Sequence, residues 1–142
     1  MSQFNQAGLL YAKVLAKLHQ QCFEKAWYEK AFASLLCLPT TRGFLNENAF
    51  VLFSVCDDQA EILTLGVIPD ARKKGIALSL LNYSFDELKK AGVKEIFLDV
   101  NVNNSAARKL YEKAGFEQIS VRKNYYDEAG QKSDALVLKK AF

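Results

Sequence analysis

Apolar residues recur every three to four positions through the first quarter of the chain. Leu10, Val14, Leu15 and Leu18 mark one face of a helix over about residues 9–23, and Trp27 to Leu36 fits a second. The pattern stops at "CLPTTRG" (37–43), where Pro39 and Gly43 break it. The runs "AFVLFSVC" (49–56) and "AEILTLGVI" (60–68) then read as strands, and "DDQ" between them as the tight turn of an antiparallel hairpin. Pro69 ends the second strand. Helical spacing returns at Ile76, Leu80, Leu81, Phe85 and Leu88, with Gly92 where a helix C-terminal stop belongs. "KEIFLDVNV" (94–102) is a strand with Ile96, Leu98 and Val100 on one face. "NSAARKLYEKAG" (104–115) is a helix with an Asn/Ser start and a glycine stop, and "FEQISVR" and "SDALVLKKA" are two closing strands joined by polar "DEAGQK".

The helix between the strand ending at Ile68 and the strand starting near Lys94 is a βαβ crossover, which predicts a parallel pair. The flanking hairpins are antiparallel. The expected fold is therefore a mixed sheet of the α/β or α+β class. With no repeat, low-complexity tract or linker, a single domain over residues 1–142 is expected.

Composition changes this picture little. Half the residues are hydrophobic and a quarter charged, the balance of a soluble globular protein. The net charge of +3 suits an anionic ligand and is too small to argue for nucleic acid. No apolar run of about 18 residues predicts a membrane span, and the N-terminus lacks the layout of a signal peptide. Cys22, Cys37 and Cys56 are odd in number and lack CxxC spacing, which predicts reduced thiols in a cytoplasmic protein and no metal site. His19, the single histidine, reads as a helix-surface residue and leaves a Ser-His-Asp triad without support.

Chemistry concentrates at "DARKKGIALSLL" (70–81). The first turn of a helix leaves about four N–H groups without partners, and these favour an anion. Gly75 lets a phosphate approach the backbone, Ala77 stays small, and Arg72, Lys73 and Lys74 add charge. Neither GxxxxGK[ST] nor GxGxxG is present. Taken alone, a solvated basic helix start explains the stretch equally well.

Two further stretches narrow the choice. The run from "EILTLGVIP" through "RKKGIA" to "LDVNVNNSAARKLYEKAGF" resembles the GNAT superfamily of acyl-CoA-dependent N-acetyltransferases. Arg72, Gly75 and Ala77 match its pyrophosphate loop, [R/Q]-x-x-G-x-[G/A]; Asn104, Ala107, Leu110, Tyr111, Gly115 and Phe116 match its second signature. "RKNYYDEAGQKSDALVL" (122–138) is similar to the closing hairpin of the RimI-type ribosomal-protein-alanine N-acetyltransferases. "CFEKAWYEKAF" (22–32) is similar to their N-terminal Phe-Pro-Trp-Ser-Glu segment, with Ala26 in place of the proline.

The resemblance implies a GNAT fold: a mostly antiparallel sheet of about six to seven strands, about four flanking helices and a parallel pair at the cofactor site. It implies acetyl-CoA as cofactor and a protein or peptide N-terminus as acceptor, with a ribosomal protein as the leading target, a monomer or weak dimer, and no metal, nucleic acid or membrane partner. Leu65, Gly66 and Val67 would present backbone to the pantetheine arm, and Lys73, Lys74, Gly75, Ile76, Ala77 and Leu78 would surround the pyrophosphate with Arg72. Asn104 would either contact the cofactor, beside Ala107, or cap its own helix. Tyr111 would be the general acid.

The RimI-type base is a glutamate, and Asp99 stands at its position, shorter in reach by on the order of 1.5 Å. A water relay or Glu61 on the neighbouring strand are the alternatives. Trp27, Arg122, Tyr125 and Tyr126 would line the acceptor slot, with one tyrosine inward and one toward substrate. Another amine acceptor (a lysine side chain, a polyamine or another small molecule), or a catalytically silent CoA-binding module, are the rival readings.

Overall fold

The apolar run at 49–56 becomes the middle of a sheet. In the computed structural model, which describes residues 3–142, the chain forms seven strands and four α-helices. The strands are β1 (Asn5–Ala7), β2 (Thr41–Leu45), β3 (Ala49–Cys56), β4 (Gln59–Val67), β5 (Glu95–Asn101), β6 (Glu117–Glu128) and β7 (Gln131–Ala141). The helices are α1 (Ala12–Cys22), α2 (Glu29–Leu36), α3 (Ile76–Lys90) and α4 (Ser105–Lys113). The sheet order is β1-β2-β3-β4-β5-β7-β6, with β4 and β5 parallel and every other pair antiparallel.

Residues Ala49 to Phe53 are buried on both faces of the sheet, which is why β3 reads as a solid apolar run and not as an alternation. Val51 and Phe53 pack with Leu80, Leu81, Phe85, Tyr111 and Phe116 under α3 and α4. Phe50 and Leu52 pack with Leu15, Leu18 and Phe32 under α1 and α2. That second layer covers only the β2–β4 side, so Phe97, Asp99 and Val137 are left half-buried on the same face further along.

Three local expectations need correction. The segment 37–43 is not a simple break, since Thr41–Leu45 forms a strand in which Gly43 pairs with Ala7. A Cβ on Gly43 would lie 3.1 Å from that of Ala7, so this glycine admits a neighbouring strand. In the first helix Leu10 is 95 % exposed and Val14 43 %; the buried face is Ala12, Leu15, Ala16, Leu18 and His19. Finally, β6 extends to Glu128 and absorbs Asp127 and Glu128, leaving a short turn at Ala129 and Gly130.

Candidate active site

β4 and β5 begin as neighbours and then part. Their ladder holds Gln59, Ala60 and Glu61 against Glu95, Ile96 and Phe97, and goes no further, although β4 continues to Val67 and β5 to Asn101. A bulge in β4 accompanies the split: Leu52 pairs with Thr64 and Phe53 with Ile62, which leaves Leu63 as the extra residue. The alternation therefore reverses. Ala60 and Ile62 face α3 and α4, Leu63 faces α1 and α2, and Leu65 and Val67 face α3 again. The β5-facing backbone groups of residues 62–67 are left without a ladder partner, and an extended chain carrying amides fits such an edge.

At the far end of β4, Pro69 to Ala71 make one 3-10 turn and the chain enters α3 through Gly75, whose φ of 77° is left-handed. The first helical hydrogen bond runs from the Ser79 N–H to the Gly75 carbonyl, so the N–H groups of Ile76, Ala77 and Leu78 have no helical partner. No side chain caps this end. Lys73 (φ 63°) and Lys74 are exposed beside it, while the Ile76 and Leu78 side chains pack into the core. Arg72 is turned toward the strand: its Nε donates to the Val67 carbonyl at 2.9 Å. Asn104 is engaged as a cap, its Oδ1 accepting the Ala107 N–H at 3.1 Å.

On the uncovered face of the sheet, Glu61, Phe97, Asp99, Arg122 and Val137 line a cleft of about 280 Å³. Asp99 lies on this face because Leu98 and Val100 occupy the other. Arg122 reaches it from the edge strand β6, with Nε 3.4 Å from Asp99 Oδ1, and its guanidinium lies 5.2 Å from the Tyr125 ring centroid. The position of Tyr125 follows from an irregularity: Arg122 pairs with Ala135 and Tyr126 with Ser133, so Lys123, Asn124 and Tyr125 bulge opposite Asp134 alone. The Asp134 carboxylate holds that bulge, accepting the Asn124 N–H at 2.9 Å.

Tyr111 is buried, with its ring T-shaped on Phe116 at 5.6 Å. Burial pushes its phenol up to about 12, with a smaller contribution from Tyr126. Tyr126 is half-buried, and its phenol is raised by burial, then by the Asp99 carboxylate and Tyr125. Its ring meets that of Tyr125 edge-on at 5.1 Å, and Tyr125 itself is exposed. Asp99 and Arg122 are brought together from β5 and β6, with Glu61 across the cleft on β4, while Tyr111 stands on α4 in the core packed under α3 and α4.

The α1 side departs from expectation. His19 is not a surface residue but is 2 % exposed, stacked between Phe23 (4.4 Å) and Trp27 (5.0 Å). Spacing hinted at this, since His19 follows Leu15 and Leu18 on one helical face. Trp27 packs against His19 and Phe32 and is only partly exposed. Gly66 has a packing reason of its own: a Cβ there would lie 2.8 Å from Phe50 and 3.0 Å from the Cys22 sulfur.

The chain matches the family model described as acetyltransferase (GNAT) family over residues 12–116. It is 34% identical over 125 residues to the [ribosomal protein bS18]-alanine N-acetyltransferase of Escherichia coli K12, covering 85% of this chain and 84% of that protein. It is 30% identical over 138 residues to N-alpha-acetyltransferase 50 of Danio rerio, covering 91% and 82%. The crystal structure of the Escherichia coli ribosomal-protein-S18-alanine N-acetyltransferase superposes with a TM-score of 0.90 at 29% identity, covering 99% of this chain and 94% of that one. A structure of Arabidopsis thaliana NAA60 in complex with acetyl-CoA shares the fold at a TM-score of 0.85 and 19% identity, covering 100% and 99%.

Proposed function

The chain belongs to the GNAT acetyltransferase family and is an N-acetyltransferase that uses acetyl-CoA, and from that premise we propose that its acceptor is a protein N-terminal α-amine. The leading target is the N-terminal alanine of a small-subunit ribosomal protein, in line with the Escherichia coli relative, a [ribosomal protein bS18]-alanine N-acetyltransferase. We take residues 1–142 as one catalytic domain, acting in the cytoplasm as a monomer or weak dimer. Among the described residues no helix is long and apolar enough to cross a membrane. The observation that carries this reading is the Asp99–Arg122 pair in an open cleft on the β4–β5 side of the sheet, where the ladder between those strands stops after Glu61.

Bound acetyl-CoA supplies an activated thioester. The unpartnered N–H groups of Ile76, Ala77 and Leu78, flanked by Arg72, Lys73 and Lys74, would hold the pyrophosphate. The free edge of Leu65 to Val67 pairs with the pantetheine amides. An α-amine has a pKa near 8, so at neutral pH a modest base suffices. Asp99 takes the amine proton, directly or through one water, as nitrogen bonds to the acyl carbon. Tyr111 gives its phenolic proton to the sulfur as the carbon–sulfur bond breaks. A phenol held near 12 is protonated at every working pH and is therefore always ready to donate. Glu61, Arg122 and Tyr125 orient the acceptor, and transfer is direct within a ternary complex, since none of the three cysteines falls at a position of the family's motifs.

Thiol release from acetyl-CoA against Ala-starting peptides, lysine peptides and small amines tests this reading. Preference for Ala-starting peptides is expected; turnover of lysine side chains or small amines alone overturns it.

A further inference from the structure

We propose that His19 is a positioning residue that clamps to β4 the segment Phe23–Tyr28, which carries Trp27, the residue the family resemblance assigns to the acceptor slot, and that acid opens the clamp. The ring is held at both nitrogens. The Trp27 backbone N–H donates to Nδ1 at 3.0 Å, so Nδ1 carries a lone pair and the proton resides on Nε2. Nε2 then donates to the Thr64 hydroxyl at 3.2 Å. Thr64 immediately follows the bulge residue Leu63, at the point where β4 leaves β5 and its edge becomes free. One imidazole thus joins the α1–α2 connection to the strand that flanks the reacting end of the site.

The surroundings favour the neutral ring. Phe23 and Trp27 stack on it, while Phe32 and Phe50 close the cage at 5.5 Å. None of these side chains, nor Thr64, titrates, and no carboxylate pairs with the ring among the described residues. The Cys22 thiol lies one turn on along α1, with Arg72 beside it, and neither stabilises an imidazolium. Burial accordingly lowers the His19 pKa. A second proton placed on Nδ1 would face the Trp27 N–H donor head-on, so protonation breaks that bond and frees the segment. Because the folded value lies below the unfolded one, this stabilisation is complete above about pH 6.5 and fades as pH falls from there toward the folded value.

The inference rests on the N-terminal-acceptor reading only for which substrate the segment serves; the clamp has a readout of its own. His19 is the only histidine and Trp27 the only tryptophan of the chain. Indole fluorescence of the full chain, titrated from pH 8 to pH 4, is expected to fall with a midpoint below about 6.5, as Trp27 leaves its buried stack for water. His19→Phe and His19→Gln are expected to show no such step. His19→Phe fills the cage without hydrogen bonds and should raise the acceptor KM about tenfold at pH 8, with acetyl-CoA affinity within about twofold. His19→Gln can donate to Thr64 and accept from Trp27, so it should restore the KM and keep it flat into acid.

A fluorescence step that persists in His19→Gln overturns the proposal. So does a wild-type acceptor KM in folded His19→Phe. The KM is measured on whichever amine the thiol-release panel selects, so a lysine or small-molecule acceptor refutes the N-terminal reading while still testing the clamp.

Discussion

Arg122 reaches from the edge strand β6, past β7, to the Asp99 carboxylate on β5, closing to 3.4 Å while its guanidinium rests against Tyr125. One cation thus connects the closing hairpin to the position where a base is needed. Asp99→Asn keeps the shape of the side chain and removes its basicity. Steady-state kinetics should show kcat lower by about 10²-fold or more, with Glu61→Gln lowering it by less than about tenfold. The reverse ranking would make Glu61 the base. Arg122→Gln is expected to act mainly on acceptor KM.

Tyr111→Phe removes the proposed proton donor and nothing else from a buried ring. Turnover should drop by about 10²-fold while calorimetry gives an unchanged affinity for coenzyme A. An equal loss in both would assign the phenol to binding. The raised phenol also predicts an alkaline effect. Its folded pKa of about 12 lies above the ordinary 10, so the contribution is complete below pH 10 and is lost as pH climbs toward 12. Denaturant titrations should show wild type losing on the order of 3 kcal/mol more than Tyr111→Phe over that window.

Gly75 enters α3 at φ 77° with nothing within 4 Å of where a Cβ would stand. Gly75→Ala should therefore cost only about 1 kcal/mol of stability, through backbone strain, yet weaken coenzyme A binding about tenfold or more by crowding the free N–H groups. Unchanged affinity by calorimetry would remove the phosphate from this turn. Arg72→Gln should weaken binding too and reduce its salt dependence.

Gly66→Ala drives a methyl group to 2.8 Å from the Phe50 ring and 3.0 Å from the Cys22 sulfur. Overpacking of a closed core costs about 1–3 kcal/mol, so thermal melts should fall by roughly 4–10 °C. Trimming Phe50 to Leu in the same chain should recover part of that loss. No change in Tm would show that the Phe50 ring moves aside freely.

Much of this was open to a reader of the residues alone, because the relevant signals are local. The period-four spacing of Leu80, Leu81, Phe85 and Leu88, the alternation around Asp99, the tight turn at 57–58 and the basic glycine turn all involve residues within a helical turn or a strand's length. So does Asn104, whose capping role is seen in its Oδ1 on the Ala107 N–H. By the same token, matching "RKKGIA" and "LYEKAGF" to a family needs no knowledge of what packs against them.

Tertiary structure decided what depends on distant partners. Whether "TRGFL" is a break or a strand depends on Ala7 lying beside Gly43. Whether His19 is wet or dry depends on Phe50 and Thr64, which come from two other strands. The bulge at Leu63 arises from the pairing of β3 with β4, and it reverses which β4 side chains meet α3. Register and burial are set by the partner strand and the covering helix, and neither leaves a periodic trace in the segment it constrains. Residues alone therefore determined the helices and the central strands, and marked the glycine turn as a candidate site. Long-range packing decided the gap between β4 and β5, the reach of Arg122 to Asp99 and the burial of His19.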